Sequence, residues 1–273
     1  RRDGATRAAA GEERRESMMH VEVDRIADPA RRNGLAADVA RVLGDVRTVV
    51  HDWKPMRERM LAVDAELAAA KLPQPKEEVD ETRAFLQWLA DDHFTFVGYR
   101  CHDLADAGDG AGLAIVRGSG LGLLRERDGE TRSVSFAQLP ASLREHARAP
   151  SLLVITKSNS RSTVHRPGYL DYIGVKRFDA AGKVVGEHRF IGLYTSATYS
   201  AIPENIPLLR RKVARILGRT GFAPGSHAHK SLVNILDTYP RDELFQIREE
   251  ELAAVALGIL KLEGRQRFRL FVR

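Results

Sequence analysis

Residues 152–195, LLVITKSNSRSTVHRPGYLDYIGVKRFDAAGKVVGEHRFIGLYT, decide how this chain is read. Leu152-Leu153-Val154-Ile155 is an apolar run of the length of a buried strand. Residues 172–178 and 184–194 read as two long strands, because β-branched and aromatic residues recur through both. Asp179-Ala180-Ala181-Gly182 joins them, with Asp and Gly placed as a short hairpin turn favours. Residues 157–166 interrupt this block with a polar, basic connection dense in hydrogen-bond donors. Lys157, Arg161, His165 and Arg166 can converge there on a carboxylate or phosphate, with Asn159 and Thr163 adding neutral hydrogen bonds. The same side chains can instead satisfy their own backbone or pair with acidic groups of a neighbouring domain. Contact between domains is the preferred reading; small-anion binding and an inert surface loop stand behind it. Lys176 and Arg177 point to opposite faces of their strand, so at most one joins this group.

Working outward, residues 77–91 read as a helix with Phe85, Leu86 and Leu89 inward, and Phe85 and Trp88 as core contacts. Residues 93–102 alternate as a strand, 113–117 and 121–125 as a broken strand pair after a turn at 105–112, and 136–147 as a short helix. The total is about five antiparallel strands with one helix inserted, closing on a long hairpin: a PAS-like plan over 76–200. Three apolar stripes follow, each at helical spacing: Ile206, Leu209, Val213, Ile216 and Leu217; Leu232, Val233 and Leu236; then Leu252, Val255, Ala256, Ile259 and Leu260. They make 203–264 a helical segment, and 267–273 read as the first strand of a following domain.

On the N-terminal side, residues 1–17 are dense in charge and read as disordered or as a surface loop. Residues 19–26 alternate as a strand, 35–43 follow with helical spacing, and the β-branched stretch 46–53 reads as a second strand. That order suggests a partial ACT-like, ferredoxin-like half-domain. With a connecting helix over 55–70 it fills 18–72, and Pro73 and Pro75 mark the boundary after it. The fold class expected is therefore α+β.

Composition narrows the function. The chain has 273 residues, 43% of them hydrophobic and 29% charged. No apolar run nears the roughly 20 residues of a membrane span. Cys101 is the one cysteine, so no internal disulfide or multi-cysteine metal site is available, as suits a reducing cytoplasm. The net charge of +6 is spread among alternating signs, and no nucleic-acid or membrane partner is expected. Gly118-Ser119-Gly120-Leu121-Gly122 lacks the spacing of a nucleotide-binding turn and reads as a bend between strands. His227 and His229 diverge on a helix behind Ser226, a candidate N-cap, so no metal pair is expected. Cys101 lies beside His102 and Asp103, which point apart, and reads as a buried or half-buried thiol. Arg210, Arg211 and Lys212 cover most of a helix circumference and read as a solvated face.

The 152–195 block, together with PENIPLLRRKVARIL (203–217) and NILDTYPRDELFQI (234–247), resembles the large bacterial NAD-specific glutamate dehydrogenases, in the long region ahead of their catalytic core. The resemblance is strong from about residue 85 onward and looser over 19–53. It implies a fragment, both ends reading as cuts, of a parent that uses NAD to convert L-glutamate to 2-oxoglutarate. No catalytic, cofactor or metal residue is expected within the fragment. It also implies a regulatory and assembly role in a homo-oligomer, in contact with the rest of its own polypeptide, with a small amino acid as effector. A stand-alone sensing module with ACT-like and PAS-like domains is the alternative.

Overall fold

The computed structural model describes residues 18–105, 112–126, 134–135 and 151–262. The readings for 1–17, the turn after residue 105, the helix at 136–147 and the strand at 267–273 lie outside them. The chain divides into two units, Arg1–Arg41 and Val42–Arg273. In the first unit, residues 18–28 form neither strand nor helix, which corrects the strand expected at 19–26. Met18, Met19, Val21 and Val23 are exposed. Alternation makes a strand only where a partner takes up its backbone hydrogen bonds. Pro29 opens helix α1 (Pro29–Ala69), where its missing N–H costs nothing. Asp28 Oδ1 accepts the Ala30 N–H at 2.9 Å.

The part of α1 from Val42 onward belongs to the second unit and corrects the other N-terminal strand: residues 46–53 are helical. Val49, Asp52, Met56, Met60, Val63, Asp64 and Leu67 are its buried residues, at helical intervals. Packing one stripe against the core outweighs the β-branched preference of Val46, Thr48, Val49 and Val50. Without two strands, the ACT-like half-domain has no basis here. Asp52 disguised the stripe. It is 1% exposed, held by Arg125 (2.5 and 2.6 Å) and by the Gly122 N–H (2.8 Å). The Arg125 guanidinium keeps its carboxyl well below the usual range.

Helix α2 (Lys76–Trp88) follows and widens into a π turn, Leu89–His93, where Asp92 takes φ +59° and redirects the chain into the sheet. The strands are β1 (Phe94–Ala105), β2 (Gly112–Ile115), β3 (Leu121–Gly122), β4 (Val134–Ser135), β5 (Leu153–Arg161), β6 (Tyr169–Phe178) and β7 (Val184–Tyr194). They form one sheet in the order β4-β2-β1-β7-β6-β5, with β3 also on β1, and every pairing is antiparallel. The expected hairpin is present: Asp179 Oδ1 accepts from Ala181 N and Lys183 N, and Gly182 takes φ +78°. A bulge at Val97 breaks the β1–β7 register. Val97 O then accepts Leu123 N, and a Cβ on Gly122 (φ +60°) would sit 2.2 Å from that oxygen. The glycine segment 118–122 is thus the expected bend.

Beyond the sheet come α3 (Ser196–Ser200), α4 (Leu209–Thr220), α5 (His227–Thr238), α6 (Arg241–Gln246) and α7 (Glu249–Leu260). Ser226 caps α5 as expected, accepting from His229 N at 3.2 Å. Ile206, Leu209, Val213, Ile216, Leu232, Leu236, Leu252 and Ala256 are buried, but Ile259 is exposed, so the last stripe is narrower than its sequence. Leu244 and Phe245 of α6 complete the apolar layer. Phe245 lies 4.9 Å from Tyr194 and 5.5 Å from Phe85, which makes α6 the plug between α2 and the end of β7.

Candidate functional site

The basic stretch 157–166 is not one loop. Lys157, Asn159 and Arg161 lie in β5, because the strand runs on through the polar residues and pairs with β6 as far as Arg161↔Tyr169. The remainder is a turn closed by Ser162 on Val164 (2.7 Å), with His165 at φ +70°. The six predicted residues do not meet at one point. Arg161 stacks over Tyr169 at 5.0 Å. Thr163 donates to Asp45 of α1 at 2.8 Å, and Asn159 and His165 are exposed.

Lys157 and Arg166 do enter a common network, on partners that sequence reading missed. Lys157 Nζ lies 2.6 Å from Asp171 on β6 and 2.9 Å from Asp242 on α6. Tyr199 of α3 donates to Asp242 at 2.9 Å, and Arg166 donates to Tyr199 at 3.2 Å. Burial pushes Asp171 up to about 6 despite Lys157. Burial also pulls on Lys157, but Asp171 and Asp242 outweigh it and raise its pKa. The Tyr194 hydroxyl, fully buried beside this group, lacks a hydrogen-bond partner. This junction fastens the end of the sheet to α3 and α6.

A second clamp corrects the reading of 210–212 as a solvated face. Glu81 of α2 accepts the Leu208 N–H (2.7 Å) and the Arg210 guanidinium (2.7 Å), a carboxylate at the start of α4 where the helix dipole favours it. Arg211 reaches Glu77, and Lys212 Nζ caps the Leu244 and Ile247 carbonyls at the end of α6. Burial brings Lys212 down to about 8.

Elsewhere in the second unit, α1 and the sheet line a broad, open cleft of about 780 Å³. Pro55, Glu58, Arg59, Ala62 and Glu66 form its helical wall, at the spacing of a single face. Tyr99, Cys101 and His188 form the floor, with the 116–121 segment and Arg177 at the sides. The floor and wall are joined in a closed ring: Arg59 Nε to Tyr99 OH (2.9 Å), Tyr99 OH to His188 Nδ1 (2.9 Å), His188 Nε2 to Glu66 (3.0 Å), and Glu66 back to Arg59 (3.1 Å). Burial holds His188 neutral, at about 4, against the pull of Glu66. Arginine only donates, so the Tyr99 oxygen accepts and its proton turns to Nδ1. His188 then carries its own proton on Nε2, toward Glu66. Arg177 is held by Asp103 at 2.5 Å. Lys176, on the opposite face, is buried against Glu187 at 2.7 Å, so neither joins the Lys157 group.

Cys101 is buried as expected, and burial pushes its thiol up, which disfavours the reactive thiolate. Among the described residues no group of three His, Cys, Asp or Glu side chains is placed to hold a metal.

Comparison with known proteins places the chain. Residues 206–265 match the family model described as glutamate dehydrogenase, helical motif 1. The chain is 41% identical over 263 residues to the NAD-specific glutamate dehydrogenase of Halomonas elongata, covering 96% of this chain and 16% of that one. To the enzyme of the same name from Pseudomonas aeruginosa it is 39% identical over 259 residues, covering 94% and 16%. The Mycobacterium tuberculosis enzyme is 28% identical, again over 94% of this chain. The resemblance read from the sequence is therefore shown, for nearly all of this chain and about one sixth of the relatives' length.

Proposed function

We propose that this chain is a non-catalytic regulatory and assembly segment of an NAD-dependent glutamate dehydrogenase. The parent reaction is L-glutamate, NAD and water to 2-oxoglutarate, ammonium and NADH. Coverage carries the reading: 96% of this chain aligns with a relative named for the reaction, yet it spans only 16% of that relative. NAD binding and hydride transfer belong, in this reading, to the remaining length. The sheet order supports a PAS-like plan, with two early strands, β2 and β1, lying beside three later ones in reverse order, β7, β6 and β5. Two charged clamps tie that sheet and α2 to the helices that match the motif model, as suits a part that holds surfaces in fixed relation. Homo-oligomerisation, contact with the rest of the polypeptide, a cytoplasmic setting and control by a small effector are parts of the same proposal. Among the described residues no helix is long and apolar enough to cross a membrane.

The test compares this 273-residue chain with the longer polypeptide that contains it. Glutamate-dependent NADH formation is expected from the latter alone. NADH formed by the isolated chain would overturn the non-catalytic reading. In the longer polypeptide, Lys157→Met should alter oligomer size or the cooperativity of glutamate saturation and leave single-turnover hydride transfer unchanged. If it slows hydride transfer and spares both other properties, the assembly role is wrong.

A further inference from the structure

One end of the sheet presents two arginines and two tyrosines to solvent. We propose that this face docks a carboxylate-bearing protein surface carried elsewhere on the same long polypeptide. The proposal rests on the reading above that the chain is one segment of a longer enzyme, and it adds the surface and the chemistry of one contact.

The four side chains lie together. Arg161 and Tyr169 are cross-strand partners at the ends of β5 and β6, with the guanidinium over the ring at 5.0 Å. The turn between them carries Arg166, which lies over the Tyr199 ring of α3 at 5.8 Å and donates to its hydroxyl at 3.2 Å. A Cβ on Gly168, next to Tyr169, would sit 3.4 Å from the Arg166 guanidinium, so the two pairs adjoin. Tyr169, Tyr199 and nearby Ile202 are 51%, 40% and 50% exposed. Arginine and tyrosine are the residues that concentrate binding energy at protein interfaces.

Charge specifies what they meet. The arginines of α4, Arg210, Arg211, Arg215 and Arg219, each hold a carboxylate. Among the described residues Arg161 and Arg166 hold rings and form no ion pair. Asp242, linked to Arg166 through Tyr199, is already taken by Lys157. Stacking positions a guanidinium and leaves N–H groups in its plane for a carboxylate. The surface is also preformed. Ser162 N donates to Gly168 O at 2.8 Å, Ser162 Oγ to Val164 O at 2.7 Å and Arg166 N to Val164 O at 2.9 Å. A turn fixed in this way gives up little freedom on docking. A guanidinium already occupies a face of each ring, where a nucleic-acid platform would stack its bases, so a protein surface is the better fit. Length supplies the source: the chain covers 16% of the relatives it matches, and most of such a polypeptide lies outside it.

The experiment labels arginines with phenylglyoxal and locates the adducts by mass spectrometry, in the 273-residue chain and in the longer polypeptide that contains it. Arg161 and Arg166 should react in the isolated chain and be protected in the longer one. In the longer polypeptide, Arg161→Gln should raise the labelling of Arg166 about tenfold, as one charge-assisted hydrogen bond of the contact is lost. Arg161→Lys keeps the charge and should keep most of the protection. Because Arg161 is exposed, both variants should leave the circular dichroism of the isolated chain unchanged. Equal labelling in the two polypeptides overturns the proposal, as does an Arg166 that stays protected in Arg161→Gln. Protection that grows with the concentration of the isolated chain makes a second copy the occupant and overturns it too. So does salt-sensitive binding of a uridine oligonucleotide that Arg161→Gln abolishes, which would make this a nucleic-acid surface. Failure here leaves the non-catalytic reading standing; NADH formed by the isolated chain would end that reading and leave this contact untouched.

Discussion

The junction and the cleft use similar residues to opposite ends. At the junction Lys157 reaches past a buried Asp171 to Asp242, and elsewhere on the sheet Lys176 and Glu187 are sealed at 2% and 4% exposure. In the cleft Arg59 and Glu66 also pair, at a slightly longer 3.1 Å, but stay open to water. Depth, more than distance, separates a charged pair that fastens from one that can be exchanged. A buried charge cannot leave its partner without remaining desolvated, whereas an exposed one is re-solvated at once.

The strongest way to break this comparison is Lys176→Met, which strands Glu187 in the core. It should cost about 3–5 kcal/mol, read by urea denaturation, and Lys176→Met with Glu187→Leu should recover most of the loss. Equal losses for the single and double variants would mean that the pair is not what matters.

Acid separates the two regions next. His188 has a folded pKa lowered to about 4 from 6.5, so its contribution is present above pH 6.5 and is lost as pH falls toward 4. His102, brought down to about 3 by burial, acts in the same sense. Asp171 runs the other way: its folded pKa of about 6 exceeds 3.8, so its contribution declines as pH rises from 3.8 to 6 and then stays constant. At about 1.4 kcal/mol per pKa unit, His188 alone is worth on the order of 3 kcal/mol across that window. Denaturation midpoints between pH 7 and 4 should therefore fall. The fall should be shallower in His188→Gln and steeper in Asp171→Asn.

Lys157→Met leaves Asp171 buried without its cation and should cost about 1–3 kcal/mol. Adding Asp171→Asn should return much of it, because the neutral amide no longer needs that cation. Smallest of all, Glu66→Gln in the cleft should cost no more than about 1 kcal/mol, the range for exposed pairs. A loss as large as that of Lys176→Met would show that the cleft pair is structural and would erase the distinction.

Legibility followed locality. The β6–β7 hairpin was readable because its turn and both strands lie within one short stretch of chain. Residues 46–53 misled, because Val46, Val49 and Val50 carry a strand's side chains on a helix's period, and Asp52 occupies a core position that Arg125 and the Gly122 N–H make tolerable. At the sites, sequence reading found Lys157 and Arg166 but placed them in a single loop. Their partners Asp171, Tyr199 and Asp242 sit on separate elements. The cleft was missed for the same reason, as Arg59, Tyr99, Arg177 and His188 meet only through the fold. Two signals were nonetheless present. Pro55, Glu58, Arg59, Ala62 and Glu66 mark one helical face, and His188 is a titratable residue in a strand whose neighbours Phe190, Ile191 and Leu193 are apolar.

Strand β1 lies between β2 and β7, and its register with β7 joins Phe94 to Tyr194. On a ribosome, β1 is finished long before β7 exists. The β6–β7 hairpin can zip as soon as it emerges, but β1 must wait unpaired on its inner edge, with Phe94, Phe96 and Tyr99 uncovered. Closing that long loop is the slow, entropically costly event. Whatever shields these aromatics in the interval governs the yield of folded chains.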